Sequence, residues 1–150
     1  MIILKNNLEE TVIKDTNWES LYLLTDNWKK ELEFYYFDIS FLEILIENYF
    51  SELLMYENLD ELRELQIEVF ELKSQCEYLL NDTRINLESI VCIINGTYIH
   101  TPSGFKIENE QLGDTIVRFI DNERKMRRVV FCMIKDVFEN QKKKQVWKFN

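Results

Sequence analysis

The sequence predicts an all-α protein, an antiparallel bundle of three long, coiled-coil-like helices. Two observations support this class. Apolar residues recur at alternating steps of three and four through most of the chain, and side chains spaced in this way lie on one stripe of an α-helix. The 150 residues also include only three glycines and one proline, a scarcity that favours long helices over many short strands.

The first apolar seam predicts a helix over 19–55. Thr16 and Glu19 have the spacing of a capping box, and Asn17 is itself a suitable N-cap, so the helix should begin at this point. Thr25 is the only polar member of the seam. In chain order the seam contains Trp18, Leu21, Thr25, Trp28, Leu32, Tyr35, Ile39, Leu42, Ile46, Tyr49 and Leu53.

A second seam predicts a helix over 59–94, with Asn58 as its N-cap and Asp60 in an acidic first turn. The connection from the first helix is short, so the two helices should run antiparallel. The seam contains Leu62, Leu65, Val69, Leu72, Cys76, Leu79, Thr83, Leu87, Ile90 and Ile94.

The end of this second helix, in residues 91–99, allows two interpretations. Asn95-Gly96 between two apolar runs is typical of a type I′ hairpin turn. We favour a helix that ends at Asn95 and Gly96, because Ile90 and Ile94 keep the helical spacing up to that point.

A third seam predicts a helix over 106–142. We expect residues 1–17 to form an N-terminal arm, for which a short helix and an extended chain both remain open, and residues 143–150 to form a basic tail. The whole chain, 1–150, fits one domain. The third seam contains Leu112, Ile116, Phe119, Glu123, Met126, Val130, Met133 and Val137.

The charges divide unequally among the three predicted helices. Residues 16–54 contain eight acids and two bases, residues 57–88 nine acids and three bases, and residues 106–144 seven acids and ten bases. We therefore expect the third helix to place its cations beside the carboxylates of the first two, an arrangement that selects orientation and register more than it adds stability. The net charge of the chain is −9.

A second apolar stripe, Phe34, Phe37, Phe41 and Ile44, lies on the first helix opposite its seam. One helix of a three-helix bundle cannot bury two faces, so this stripe needs another cover. The candidates are the N-terminal arm, residues 146–149, another protein, or a second copy of the chain, which would make a six-helix homodimer. The stripe predicts a non-enzymatic protein-interaction or scaffold protein.

A basic cluster in the third helix suggests an alternative, a nucleic-acid-associated regulator. Clustered cations neutralise phosphates. However, the cluster lies on the helix that should face two acidic helices, and the pI is near 4.7. We therefore predict a structural role for it, and nucleic acid is not the expected partner. The cations concerned are Arg124, Lys125, Arg127, Arg128, Lys142, Lys143 and Lys144.

Glu123 suggests a second alternative, a ligand- or metal-binding bundle with a cavity around Glu123 and Cys132. A carboxylate in the seam is costly alone, so it should reach the surface or pair with Arg84 or Arg127. The only histidine, His100, lies in the predicted loop, away from any Glu-x-x-His pair or nucleophile spacing. We predict neither a metal, a cofactor nor an enzymatic activity.

The cysteines and the hydropathy indicate a cytoplasmic protein without membrane contact. Cys76, Cys92 and Cys132 have no CxxC spacing and are predicted to be core residues in a reducing compartment. The N-terminal apolar run is too short for a secretory signal, and no apolar window approaches the length of a membrane span.

The segment 28–35, with its W-x-x-E-L-x-F-Y core, together with Phe41-Leu42 and the acidic segment 58–65, resembles a group of small coiled-coil proteins from Bacteroidetes. The resemblance covers residues 18–140. It implies a helical fold, and it brings no activity, cofactor or site residue to this chain.

Overall fold

The computed structural model describes the backbone of residues 2–149 and the side chains of residues 8–143. This part of the chain is all-α and contains no strand, which confirms the predicted class. Its five helices are α1 (Ile2–Asp15), α2 (Trp18–Asn48), α3 (Phe50–Leu53), α4 (Leu59–Ile94) and α5 (Pro102–Phe149).

The N-terminal arm is helix α1, which decides between the two forms that the sequence left open. Asn17 then caps α2, because its side-chain oxygen accepts a hydrogen bond from the Ser20 backbone N–H at 3.0 Å. This is the bond from N3 to the N-cap. Of the two caps that the sequence offers, Asn17 is therefore the N-cap, and Thr16 is not.

The predicted helix over 19–55 is interrupted at Tyr49. This residue has φ −105° and ψ 14°, in the sparsely populated bridge region, and it separates α2 from α3. Helical hydrogen bonds continue on both sides, from Tyr49 N–H to Leu45 at 3.0 Å and from Leu53 N–H to Tyr49 at 2.8 Å. Leu53 consequently still reaches a buried position at the end of the seam.

Helix α4 spans the residues predicted for it and ends in a Schellman motif. Gly96 has φ 72°, a conformation that suits glycine. The Thr97 N–H donates to Cys92 O at 2.8 Å and the Gly96 N–H donates to Ile93 O at 3.2 Å, which is the bond pair of that motif. The hairpin alternative is wrong, because the residues before Asn95 are helical.

Helix α5 begins at Pro102, earlier than the predicted residue 106. Proline suits the first helical position because its missing N–H would have no partner there. Glu9 of α1 accepts hydrogen bonds from the Ser103 hydroxyl and from the Ser103 backbone N–H, the latter at 3.0 Å. A carboxylate at a helix N-terminus is favoured by the helix dipole.

The backbone stays helical to Phe149, so residues 143–149 continue α5 and do not form a separate tail.

The chain divides into two compact units. The first unit contains Met1–Phe34 and Glu77–Arg118, and the second contains Tyr35–Cys76 and Phe119–Asn150. In the first unit Trp18 packs against Phe105, with ring centroids 6.2 Å apart, in a buried cluster with two isoleucines of α4.

A polar contact in the first unit explains why Thr25 can occupy the seam. Thr25 and Asn109 are both buried. The Asn109 side-chain amide donates to the Thr25 hydroxyl at 3.3 Å and to Asn86 Oδ1 at 3.0 Å, while the Thr25 hydroxyl donates to Leu21 O at 2.8 Å. Buried polar groups that are hydrogen-bonded in this way avoid most of their desolvation cost.

Gly113 lies within α5 because the indole of Trp28 occupies the space beside it. A Cβ atom built at this position would lie 2.8 Å from Cη2 of Trp28. Glycine costs about 1 kcal/mol of helix propensity relative to alanine. In return, the backbone of α5 can approach the Trp28 ring more closely than a residue with a Cβ atom would allow.

The second unit has a core built from members of all three predicted seams, although the seam residues Tyr49, Met126 and Met133 are only half-buried and Ile134, which lies outside the predicted seam, is buried. One of the expected seam positions carries a carboxylate, Glu123, which is fully buried. The buried apolar residues are Tyr35, Ile39, Leu42, Ile46, Leu53, Leu62, Leu65, Val69, Leu72, Cys76, Phe119, Val130, Ile134 and Val137.

Candidate functional site

The predicted apolar stripe lies on the solvent side of α2. Phe37 is 74% exposed, and Phe41 and Ile44 are each 50% exposed. Phe34, in the first unit, is 61% exposed. The described residues therefore leave at least half of each side chain in solvent. The side chains of residues 146–149, one of the predicted covers, lie outside the described part of the chain.

The predicted basic cluster is divided by the structure into cations with different roles. Arg127 turns inward to Asp38 and Glu123, with N–O distances of 3.2 and 2.7 Å. Lys125 pairs with Asp121 on its own helix at 3.0 Å. Arg124 and Arg128 are exposed and make no hydrogen bond or ion pair with the described residues. The structural role predicted for the cluster therefore applies to Arg127 and not to these two arginines.

The two exposed arginines line an open cleft of about 480 Å³ in the second unit. Phe131 and Lys135 line it as well, although neither was a predicted site residue. Their spacing from Arg124 and Arg128 was the available signal, because all four fall on one stripe of α5. The remaining lining residues are Arg127 and Cys132.

The structure also places the predicted core cysteines and the C-terminal lysines of the basic cluster. Cys132 is exposed and free, so its predicted core position is wrong, whereas Cys76 is buried as predicted. Lys142 and Lys143 are exposed, and the side chain of Lys144 lies outside the described residues.

Glu123 forms the predicted contact with Arg127. Its side chain is fully buried, and Oε2 accepts a hydrogen bond from Nη2 of Arg127 at 2.7 Å. The other oxygen, Oε1, is buried and has no hydrogen-bond partner among the described residues. A carboxylate in this position has lost its water without gaining full replacement, which disfavours the charged form.

The pKa of Glu123 is raised from 4.5 to about 7. Desolvation is the largest cause, and the neighbouring Asp38 carboxyl adds to it, because a protonated Glu123 can donate to Asp38 whereas two anions repel each other. Arg127 opposes the increase. The contact with Glu123 in turn raises the pKa of Arg127.

The buried carboxyl makes stability depend on pH. The folded protein holds a proton on Glu123 more tightly than the unfolded chain does, so its contribution to stability falls as pH rises from about 4.5 to about 7. Glu123→Gln, which mimics the protonated form, is expected to raise the free energy of unfolding by about 1–3 kcal/mol at pH near 8 and to change it little at pH near 5.

Urea unfolding at several pH values measures this difference. Glu139→Gln, at an exposed position of the same helix, is the matched control and should show no such pH dependence. If the Glu123→Gln variant were less stable than wild type at pH near 8, the ionised Glu123 would have to be favoured by its surroundings, contrary to this expectation.

The region of His100 offers a hollow but no catalytic arrangement among the described residues. The His100 ring lies 5.8 Å from the ring of Tyr98, and both line a hollow of about 620 Å³ with Glu108. Burial, followed by the charge of Glu108, raises the pKa of Tyr98. His100 donates to no serine or cysteine within the described part of the chain. No group of three or more metal-ligating side chains occurs there either.

Comparison with known proteins gives no relative. No family model, no curated protein and no solved structure matches the chain. Within the described residues, no helix combines the length and the apolar character needed to span a membrane. The stripe on α2 and the cationic part of α5 are therefore the features from which function can be inferred.

Proposed function

We propose that the protein is a non-enzymatic scaffold whose α2, α4 and α5 form a three-helix bundle, and that two copies associate through the α2 stripe. The observation that carries this proposal is the exposure of Phe37, Phe41 and Ile44, each at least half in solvent. Contiguous exposed aromatic and aliphatic side chains mark interaction sites on soluble proteins.

We favour a second copy over an unrelated protein because the stripe is apolar and lies on a single helix, which can pair with itself about a two-fold axis. Two α2 helices packed antiparallel about a two-fold axis near Phe41 would bring the two Phe41 rings together and set Phe37 against the partner's Ile44. An aromatic pair such as Phe41 with Phe41 contributes about 0.5–1.5 kcal/mol beyond burial. Closed two-fold pairing is also the commonest form of self-association.

The size of the stripe sets a requirement on the dimer. Three large side chains, already partly buried, supply roughly half of the ~800 Å² per partner that a standard interface buries. Flanking residues of α2 must supply the remainder, so the proposal requires contact along several turns of this helix.

Multi-angle light scattering tests the proposal. The wild-type chain is expected to have the mass of a dimer, and Phe37→Glu with Phe41→Glu is expected to give a monomer, because each glutamate would be buried without a partner. The matched control is Phe70→Glu on α4, which is 62% exposed and off the stripe; it should remain dimeric. A monomeric wild type, or a dimer unchanged by the two substitutions, contradicts the proposal.

The scaffold role is supported by the apolar side chains that α2 exposes to solvent. The cytoplasmic location and the resemblance to the Bacteroidetes proteins stay predictions from the sequence.

A further inference from the structure

Helix α5 carries a second regular stripe on its solvent side, in the second unit. Its members follow one another at steps of four, three, four, three and four, so they lie along one line of the helix. The cations are exposed, and the two phenylalanines are each 43% exposed. The stripe, called here the cation–aromatic stripe, consists of Arg124, Arg128, Phe131, Lys135, Phe138 and Lys142.

The dimensions of this stripe suit an extended chain. From Arg124 to Lys142 it is about 27 Å long, and the two rings are about 10 Å apart along the axis, at 1.5 Å per residue. Phe138 packs edge-on against Tyr49 with ring centroids 5.2 Å apart, which fixes its orientation. Phe131 lies in the cleft between the arginines and Lys135.

The charge of the stripe is only partly compensated. Lys135 pairs with Glu139 at 3.7 Å, whereas Arg124 and Arg128 have no ion pair with the described residues. Each guanidinium therefore has free donors for a bidentate contact, which matches the geometry of a phosphate. Together with Lys142, the two arginines provide about three positive charges for contacts with phosphates.

We propose that the cation–aromatic stripe binds single-stranded nucleic acid, with phosphates on the cations and a base stacked on Phe131. Proteins that bind single strands combine a cationic track with aromatic side chains on which bases stack. A duplex keeps its bases stacked inside and offers nothing to Phe131. Phe131 and the two arginines line the same open cleft, so a stacked base and its neighbouring phosphates would meet them within one site.

The overall charge of −9 limits this binding without preventing it. At physiological salt the Debye length is about 8 Å, so most carboxylates of the protein are screened from a strand on α5. With about three phosphate contacts, the logarithm of the binding constant should fall with the logarithm of salt with a slope of about −2. The expected Kd at physiological salt is about 1–100 µM, the range of sequence-independent binding.

Fluorescence anisotropy with a labelled oligo(dT) of about 20 nucleotides and a duplex of the same length tests the proposal. The single strand should bind more tightly than the duplex. Arg124→Glu with Arg128→Glu should weaken binding at least tenfold and flatten the salt slope by about 1 to 2. Phe131→Ala should weaken it about 5-fold to 100-fold, the loss of one stacked base.

The matched control replaces two exposed arginines of α4, Arg63→Glu with Arg84→Glu. It makes the same change in net charge away from the stripe and should reduce binding less than about threefold. Circular dichroism of all variants verifies that they are folded. Phe37→Glu with Phe41→Glu should bind the strand as wild type does, so this inference and the proposed dimer can fail separately.

Four results would overturn the inference. They are no binding of oligo(dT) at low salt, equal losses in the stripe and control variants, duplex binding as tight as single-strand binding with no effect of Phe131→Ala, and displacement of the strand by an equal concentration of poly-glutamate. The last result would assign the stripe to an acidic protein surface instead.

Discussion

Replacing Arg127 by methionine is expected to lower the free energy of unfolding by about 1–3 kcal/mol slightly above neutral pH. Arg127 is the cation that contacts both Glu123 and Asp38, at 2.7 and 3.2 Å. Methionine keeps much of the apolar stem but leaves two adjacent carboxylates, one of them fully buried, without a positive charge. Removal of one partner of a buried ion pair costs more than the pair contributes, because the remaining charge stays desolvated.

The size of this loss should itself depend on pH. Below about pH 5 Glu123 is protonated in the folded protein, so less uncompensated charge remains and the loss caused by Arg127→Met should shrink. Urea unfolding at both pH values measures it. Arg124→Met, at an exposed position one turn away, is the matched control and should change stability by less than about 0.5 kcal/mol. Equal losses in the two variants would show that the buried carboxylates do not need Arg127.

The helices were predictable because each has a long seam and local end signals. The range of α4 follows from Asn58 at its start and from Asn95-Gly96 at its end, where φ of Gly96 is 72°. The burial of Ile39, Val69 and Val130 follows from the spacing of the seams alone. These features depend on residues near each other in the chain, which periodicity and capping rules describe.

The predictions that were missed or wrong concern contacts between distant residues and choices between two adjacent residues. Glu9 caps α5 from α1, 94 residues away in the chain, and no local pattern contains that bond. Thr16 and Asn17 are adjacent candidate caps, and the stronger capping preference of asparagine prevails over the capping-box spacing of Thr16 with Glu19. Ile94 keeps the seam spacing but is 52% exposed, while Ile93 is buried, because drift of the stripe near a helix end moves the buried position by one residue.

The candidate sites were predictable to different degrees. The position of the α2 stripe follows from spacing alone, and Phe37, Phe41 and Ile44 are each at least half exposed. The basic cluster is one group in the sequence, whereas consecutive residues of a helix point about 100° apart, so Arg127 contacts the buried Glu123 and Arg128 faces solvent. The same helical geometry, applied to the sequence alone, adds Phe131 and Lys135 to the stripe of Arg124 and Arg128.

The face of α2 that forms the core can be tested with two leucines of the same unit. Leu32 is fully buried and Leu23 is 67% exposed. Leu32→Ala is expected to lower the free energy of unfolding by about 2–5 kcal/mol, the loss of buried methylene groups plus the cavity that remains. Leu23→Ala should change it by less than about 0.5 kcal/mol, because alanine has a helix propensity at least as good as leucine and little contact is lost.

Calorimetry or urea unfolding of both variants separates packing from propensity. The two substitutions are identical in chemistry and lie on the same helix, so propensity and the unfolded state contribute nearly equally to both. Their difference therefore reports burial in the core. Glu64→Ala, on the exposed face of α4, should resemble Leu23→Ala and not Leu32→Ala. Comparable losses for Leu32→Ala and Leu23→Ala would show that residues 23 and 32 do not lie on opposite faces, and the seam geometry from which the α2 stripe is defined would then be wrong.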